Sequence, residues 1–465
     1  MRAGNCALLD QESALCCPRG GNLEDMLPSR RATLAVLALL LGVWPFLATA
    51  QNATPSMSSG APLDLAAIAL APGDVPAGYF DDYSEWWVPA TPFSELVLGG
   101  AAVPPGLERV YQSFYTESNG AAAIHNYLYE FASPEEATAG FEIVDAALRP
   151  PLPEGTVVGP THAPGPDLGD DPGVLTVVTY DTWAAGGPRA DVVAASFRRD
   201  RLVAGVAVEQ YTDPPPAGTS AADSATPVAL DPAQEQLATT LATTLDERIT
   251  TVLAGQAPPG VDPALAELVL PLDQLADVPT PVFGGYKAGI DMLRCGICGE
   301  ESSLLPFADD ARGGFNRSIV LGGVVDGEPE PPFVLLAVTA FTSPEVALAV
   351  LEVIRQAPND RPTASPFPRG QKTLVADPTI PEATAAFAFY ASLDEEDPTA
   401  PIDSAGVDFV VGNWLVSVDV QGGSSADDAL AAAIDLATQQ AACLTAGGPC
   451  AAVMSPTSLL GEPGA

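Results

Sequence analysis

One stretch of this chain is written twice. "FASPEEATAGFEIV" (Phe131 to Val144) returns as "FTSPEVALAVLEVI" (Phe341 to Ile354), 210 residues further on. Ser133-Pro134-Glu135-Glu136 reads as a helix start. A serine accepts bonds from the free N–H groups of the first turn, and a proline placed next sacrifices none. Glu136 completes a capping box, and both glutamates suit the positive end of the helix dipole. Ala137, Phe141, Val144 and Leu148 then recur at helical spacing as one apolar stripe. The second copy keeps Ser343-Pro344-Glu345 and the stripe Ala347, Leu351, Ile354, but puts Val346 where the box needs a glutamate.

The surroundings repeat as well. An extended run precedes each helix: Ala121 to Phe131, and Pro332 to Phe341. Further on, Ala195 to Val208 and Val407 to Val420 each set two apolar runs around a polar break, "RRDR" or "GN", as a hairpin requires. Each copy closes on an Ala-rich amphipathic helix, Asp231 to Leu253 and Ser425 to Leu444. The lead-ins match too, "ALAPGDVPAGY" (Ala69 to Tyr79) against "DQLADVPTPVFGGY" (Asp273 to Tyr286). These features in one order predict an α+β fold of two tandem modules, each a mainly antiparallel sheet packed with two helices. Strands are expected around Val110, Tyr127, Val177, Ala194 and Val206, with the same order in the second copy. Superposed copies should place Ser133 on Ser343 and Leu202 near Trp414, in two sheets rather than a single undivided one.

The chain has 465 residues, enough for two modules of about 190 residues each. They are read as 63–253 and 264–450, joined by the Pro/Gly-rich connector "AGQAPPGVDP" (254–263). Segments 51–62 and 451–465 read as a disordered tether and tail, poor in aromatic residues and rich in small ones. A formal charge of −40 excludes a general nucleic-acid binder, which needs a basic surface.

Residues 1–50 read as an export signal. "SRRATLAVLALLLGVWPFLATAQ" (Ser29 to Gln51) carries two arginines, an apolar stretch short for a membrane span, and an Ala48-Thr49-Ala50 cleavage site. Gln51 would then begin the mature chain, and translation from Met26 would make Cys6, Cys16 and Cys17 irrelevant. No other segment is long and apolar enough to span a bilayer, so no stable membrane span is expected after cleavage. The rival reading keeps the leader as an anchor.

Four cysteines remain: Cys295 and Cys298 in "RCGICGE", Cys443 and Cys450 in "CLTAGGPC". An even count behind an export signal argues for disulfides. A redox Cys-x-x-Cys would open a helix, and no helical stripe follows Cys298; a four-thiolate zinc site would want tighter spacing in the second pair. Among the pairings, bridges crossing from Cys295 to Cys443 would staple the two ends of the second module and are favoured over local ones. No metal and no cofactor are expected.

Two histidines occur. His125 falls in a strand-like run, where a sheet-face position is expected; His162, in "GPTHAPGPD", reads as a loop residue. Without Gly-x-Ser-x-Gly, His-Glu-x-x-His or a phosphate loop, no catalytic residue is assigned. "DLGDDPG" (Asp167 to Gly173) and "DEEDP" (Asp394 to Pro398) read as solvated turns rather than calcium loops. "YFDDYSEWW" (Tyr79 to Trp87) packs five aromatics and three acids into nine residues. Rings beside carboxylates suit a sugar or a cationic ligand, which makes Tyr79, Tyr83, Trp86 and Trp87 candidate ligand-binding residues. The alternative is that they pack against the sheet or between the modules.

The layout of each module, from lead-in through strands, helix, hairpin and final helix, resembles extracytoplasmic sensor-like and lipoprotein domains of GC-rich bacteria. The ectodomains of mycobacterial serine/threonine kinases are one example. The resemblance carries no catalytic residues and implies an envelope module binding a small ligand in a cleft. The chain is therefore expected to be a secreted or extracytoplasmic, non-catalytic envelope protein, its partner an unknown small ligand or an envelope protein. A structural or interaction role in the envelope is the alternative.

Overall fold

The computed structural model describes residues 63–87, 103–117, 120–147, 157–171, 173–181, 189–212, 231–262, 264–275, 282–287, 304–320, 333–356, 372–392, 402–421 and 425–450. The export segment, the tether, the tail, Cys295, Cys298 and the Asp394 to Pro398 cluster lie outside them.

The first half runs α1 (Leu65–Ile68), β1 (Tyr79–Trp87), β2 (Leu107–Glu117), β3 (Ala122–Phe131), α2 (Pro134–Ala147), β4 (Val157–Pro164), β5 (Val174–Asp181), β6 (Arg189–Arg199), β7 (Leu202–Thr212) and α3 (Pro232–Leu253). The second repeats it: α4 (Ala264–Glu267), β8 (Val282–Lys287), β9 (Ala311–Val320), β10 (Phe333–Phe341), α5 (Pro344–Gln356), β11 (Lys372–Leu374), β12 (Ala385–Ser392), β13 (Ile402–Val411), β14 (Trp414–Gln421) and α6 (Ala426–Ala446). The strand order is β11-β12-β13-β14-β10-β9-β8-β1-β2-β3-β7-β6-β5-β4. Counted outward from the centre, each half places its first, second, third, seventh, sixth, fifth and fourth strands in turn. That identity of order is what a tandem duplication produces.

The halves do not stay apart as two sheets. They join edge to edge through β1 and β8, where Glu85 lies opposite Phe283 and Trp86 opposite Val282. The physical reason is the edge itself. The first strand of each module exposes unpaired backbone groups, and pairing the two edges removes both at once. With an antiparallel seam and the same order on each side, an approximate two-fold axis stands normal to the sheet between β1 and β8.

The repeated helix start behaves as read. Ser133 Oγ accepts the Glu136 N–H at 3.2 Å and Ser133 Oγ donates to the Glu136 carboxylate at 3.3 Å. Ser343 Oγ accepts the Val346 N–H at 3.3 Å and has no return partner on Val346, as its side chain requires. Ala137, Val144, Ala347, Leu351 and Ile354 are buried. Both hairpins put a left-handed residue first in a two-residue turn, Asp200 (φ 51°) and Gly412 (φ 57°). The residue after it repeats its contact, since the Phe131 N–H donates to the Arg201 carbonyl and the Phe341 N–H to that of Asn413, each at 2.9 Å. Leu202 and Trp414 thus open equivalent strands.

One side of the sheet carries the long helices α3 and α6. There Tyr115, Ile124, Val193, Phe197, Val206 and Leu245 form one core, and Val338, Phe409, Val416 and Leu436 another. The seam is covered on this side: Ala67 of α1 packs into the second half's core, and Tyr286 donates to Asp64 at 3.1 Å. The short helices α2 and α5 lie on the other side, α2 over Val110, Tyr127, Tyr129 and Val203, and α5 over Phe387, Phe389, Val410 and Leu415.

Two further expectations change, while the Tyr79 to Trp87 segment, whose alternative reading was a contact between the modules, supplies strand β1 of the seam. His162 belongs to strand β4 instead of a loop, with its Cα opposite Thr176; β4 is the outer edge, where the prolines at 160 and 164 remove no ladder bond. The favoured crossed staple is not formed. Cys443 bonds Cys450, with Cα atoms 5.2 Å apart, because helix α6 ends at Gly447 in a left-handed turn that folds the chain back.

Candidate functional site

Helix α2 makes its main contacts with β6 and β7, and α5 with the equivalent β13 and β14. Seven strand spacings, about 34 Å, separate β7 from β14, so the short helices cannot meet over the seam. The central strands β2, β1, β8 and β9 lie between them, and their helix contacts come mainly from α1 and α4 on the long-helix side.

This central strip is polar. Gln112 on β2 and Asn316 on β9 occupy equivalent positions: Gln112 lies opposite Tyr127, Asn316 opposite Ala337, four residues before Phe131 and Phe341 respectively. Both carboxamides are buried, at 6% and 4% exposure, and Ser318 and Lys287 are buried beside them. Such groups are retained below the surface only when hydrogen-bonded. Gln112 Oε1 meets His125 Nε2 at 3.1 Å, and Asn316 Oδ1 accepts the Gly285 N–H at 3.0 Å. His125 stands between the rings of Phe114 and Tyr127, both centroids 5.9 Å away, and Tyr127 leads on to Tyr129. Burial lowers the imidazole pKa to about 4, so it is neutral at neutral pH. Tyr127 donates to or accepts from Ser196 at 2.8 Å, and burial pushes its phenol far up.

Strand β1, with the four aromatic candidates, crosses the middle of this strip. Its register sets Glu85 opposite Gln112, Trp86 opposite Tyr111, Trp87 opposite Val110 and Tyr83 opposite Phe114, with a bulge between Asp81 and Tyr83. Tyr111 belongs to the long-helix core and Val110 to the short-helix core, so neighbouring positions of β1 alternate between sides. Tyr79 is half-buried at the start of the strand and packs on the long-helix core; burial and then Glu117 raise its phenol pKa. The side chains from Phe80 to Trp87 lie outside the described set.

The other acidic candidate is a clasp. Arg198 bonds Asp171 (2.6 Å) and Asp170 (3.2 Å), and Arg199 pairs with Asp246 of α3. The "RRDR" break thus holds the Asp167 to Gly173 loop, so these two carboxylates are matched by guanidinium groups.

The sequence reading missed the buried charges. Glu130, 1% exposed, binds Arg109, binds Arg201 at 2.9 Å and accepts the Leu63 N–H at 3.2 Å. Arg248 donates to the carbonyls of Ala67, Ile68 and Pro259 at 2.8–3.0 Å and pairs with Asp74 at 3.0 Å. Asp408 and Asp419, 0% and 2% exposed, stand on the short-helix side of β13 and β14. A charge inside an otherwise apolar strand was the available signal: "VDFVV" and "VSVDV" both show it. Among the described residues no group of three or more His, Cys, Asp or Glu could hold a metal ion.

No family model matches the chain, and no curated protein matches it. Among solved structures, the extracellular domain of PknH from Mycobacterium tuberculosis aligns with 39% of this chain and 94% of its own, at 13% identity and a TM-score of 0.25. A likeness at that TM-score supports no statement about function. None of the described helices is long and apolar enough to cross a membrane.

Proposed function

We propose that the protein is an exported, non-catalytic pair of modules that binds a small polar ligand on the short-helix side of the seam. Gln112, Asn316 and Ser318 would supply polar contacts, with Tyr83 and Trp87, the β1 positions opposite Phe114 and Val110, as the aromatic wall; Tyr79 and Trp86 fall on the long-helix side and take no part. One observation carries the reading: two equivalent buried carboxamides flank the strand pair that joins the halves, between helices that cannot close over it. Ligand sites combine a mostly apolar lining with a few converging polar groups. The export signal at Ser29 to Gln51 supports an extracytoplasmic setting.

The test is a thermal-shift screen of the exported protein with small hydroxylated, amide and cationic compounds, after native mass spectrometry for co-purified material. A compound that raises the melting temperature of the wild type but not of a Gln112→Leu, Asn316→Leu variant supports the proposal. A compound that stabilises both equally defeats it. Capture of an envelope protein by wild type and variant alike, with no small-molecule response, would favour the interaction role.

A further inference from the structure

We propose that Lys287 and Asn316 join through their side chains in an isopeptide bond that ties β8 to β9 beside the seam. The link does not depend on a bound ligand, and it leaves the Asn316 carbonyl oxygen in place for one.

The first observation is how this chain uses lysine. Of its nineteen lysine and arginine residues two are lysine, Lys287 and Lys372. Lysine is among the side chains least often buried, yet these two are 8% and 9% exposed. A lysine kept below the surface of an arginine-rich chain suits a task that arginine cannot perform. An amine can lose its proton and attack a carbonyl, whereas a guanidinium stays charged. Lys372 lies over the Phe389 ring, its Nζ 5.1 Å from the centroid, as a cation does. Lys287 has a carboxamide as its diagonal neighbour.

Four positions of β8 and β9 make a patch: Gly285 opposite Asn316, and Lys287 opposite Gly314. In such a ladder the diagonal pair, Lys287 and Asn316, has its Cα atoms about 7–8 Å apart and its Cβ atoms closer. A lysine side chain joined to an asparagine spans that distance. Glycine fills the other two corners, so no side chain of either strand stands between them. Asn316 is buried, and its Oδ1 accepts the Gly285 N–H at 3.0 Å. That bond draws electron density onto the oxygen and leaves Cγ more open to attack.

In the reaction the neutral Lys287 Nζ attacks Asn316 Cγ, and the carbonyl electron pair moves onto Oδ1, where the Gly285 N–H already donates. The pair returns as the Cγ–Nδ2 bond breaks. Nδ2 leaves as ammonia, taking the proton that Nζ gives up. An amine and a primary amide become a secondary amide and ammonia, and nothing is oxidised or reduced. Burial holds the two groups together and limits the water that would compete for Cγ.

The link falls where the ladder is short. β8 has six residues and pairs with β1 at Glu85–Phe283 and Trp86–Val282. Gly284 stands at φ 128°, a conformation reserved for glycine, and glycine is the residue that loses most freedom on folding. A covalent tie to β9 fixes the strand through which the halves meet. The first half has no counterpart, since Trp87 and Gln112 occupy the matching corners, with Glu85 and Val110 at the others.

Trypsin digestion of the exported protein, followed by mass spectrometry, tests the link. Trypsin does not cut after an acylated lysine. A peptide running through Lys287 should therefore appear joined to the peptide carrying Asn316, lighter than their sum by one ammonia. Lys287→Arg, which keeps the charge but not the amine, should return the Asn316 peptide unlinked and at full mass. The wild-type result stands whether or not that variant folds. Recovery from the folded wild type of a peptide ending at Lys287, with the Asn316 peptide unmodified and no linked species, overturns the proposal. So does a link from Lys287 to any other residue.

Discussion

The two halves share a scaffold and differ in how they fill it. On the long-helix side the sheet positions stay apolar in both copies: Phe197 recurs as Phe409, Val206 recurs as Val418, and Ile124 becomes Val334. On the short-helix side the chemistry changes. Where the first half has Tyr127, Ser196, Ala207 and His125, the second has Ala337, Asp408, Asp419 and Leu335. Sheet positions packed directly against a long helix change little, whereas the short-helix side admits changes of charge. On the long-helix side the chemistry differs where the lead-in segments cross, at Arg248 and Asn126 in one half and Gln440 and Arg317 in the other.

The lead-in segments sharpen the comparison. Each needs its backbone groups satisfied where it crosses the sheet, since a buried unpaired amide or carbonyl is costly. The first half uses Arg248 for carbonyls and Asn126 for the Leu70 N–H (2.9 Å). In the second, Gln440 serves both kinds, accepting the Leu270 N–H at 3.0 Å and donating to the Leu268 carbonyl at 2.6 Å. Arg317 adds bonds to the carbonyls of Val269 and Leu270. The largest expected effect follows from this contrast. Arg248→Met strands three carbonyls and Asp74, and should cost about 3–5 kcal/mol in urea denaturation. Gln440→Leu should cost about 1–3 kcal/mol, because a neutral clamp leaves no charge behind. Equal losses would break the distinction between a charged and a neutral clamp.

The disulfide comes next in size. It closes a short loop in the second half only. Replacing Cys443 and Cys450 by serine should lower stability by about 2–3 kcal/mol in the chain-entropy picture. Non-reducing peptide mapping of the wild type should recover the Cys443–Cys450 link, and a peptide joining Cys295 to Cys443 would contradict the structure.

The smallest effect tests the repeated helix start. Ser133→Ala removes a reciprocal cap and Ser343→Ala a one-way cap, so each should cost about 1 kcal/mol, the first a few tenths more. Identical values in thermal melts would mean that Glu136 contributes nothing at its end of the box.

Much of the scaffold was legible in the sequence, and the reason is local. A serine, a proline and a glutamate before an apolar stripe define α2 and α5 without reference to the rest of the chain. The polar breaks at 198–201 and 412–413 mark their hairpins in the same way. β1 was not legible as a strand, because a bulge and three acids disturb its alternation, and β4 was obscured by its prolines. The seam was legible only as the alternative that the Tyr79 to Trp87 rings lie between the modules; nothing in β1 alone says that its backbone pairs with a strand of the other copy. The site shared that fate. Gln112 and Asn316 are unremarkable in sequence, and become a pair only when the two-fold arrangement sets them on either side of the centre.

The disulfide turn has one more consequence. Beyond it the Cys450 N–H donates to the Glu267 carbonyl at 2.8 Å, so the second half's last described residue touches its first helix. The first half does the same by other means, Arg248 of its last helix gripping the carbonyls of its first. A unit whose start and finish are neighbours can be copied head to tail with a connector of only a few residues, because the chain leaves one copy where the next must begin. The same adjacency makes the second half a natural subject for circular permutation. New termini opened in the 357–371 stretch, with 450 joined to 264, would leave every strand pairing of that half intact.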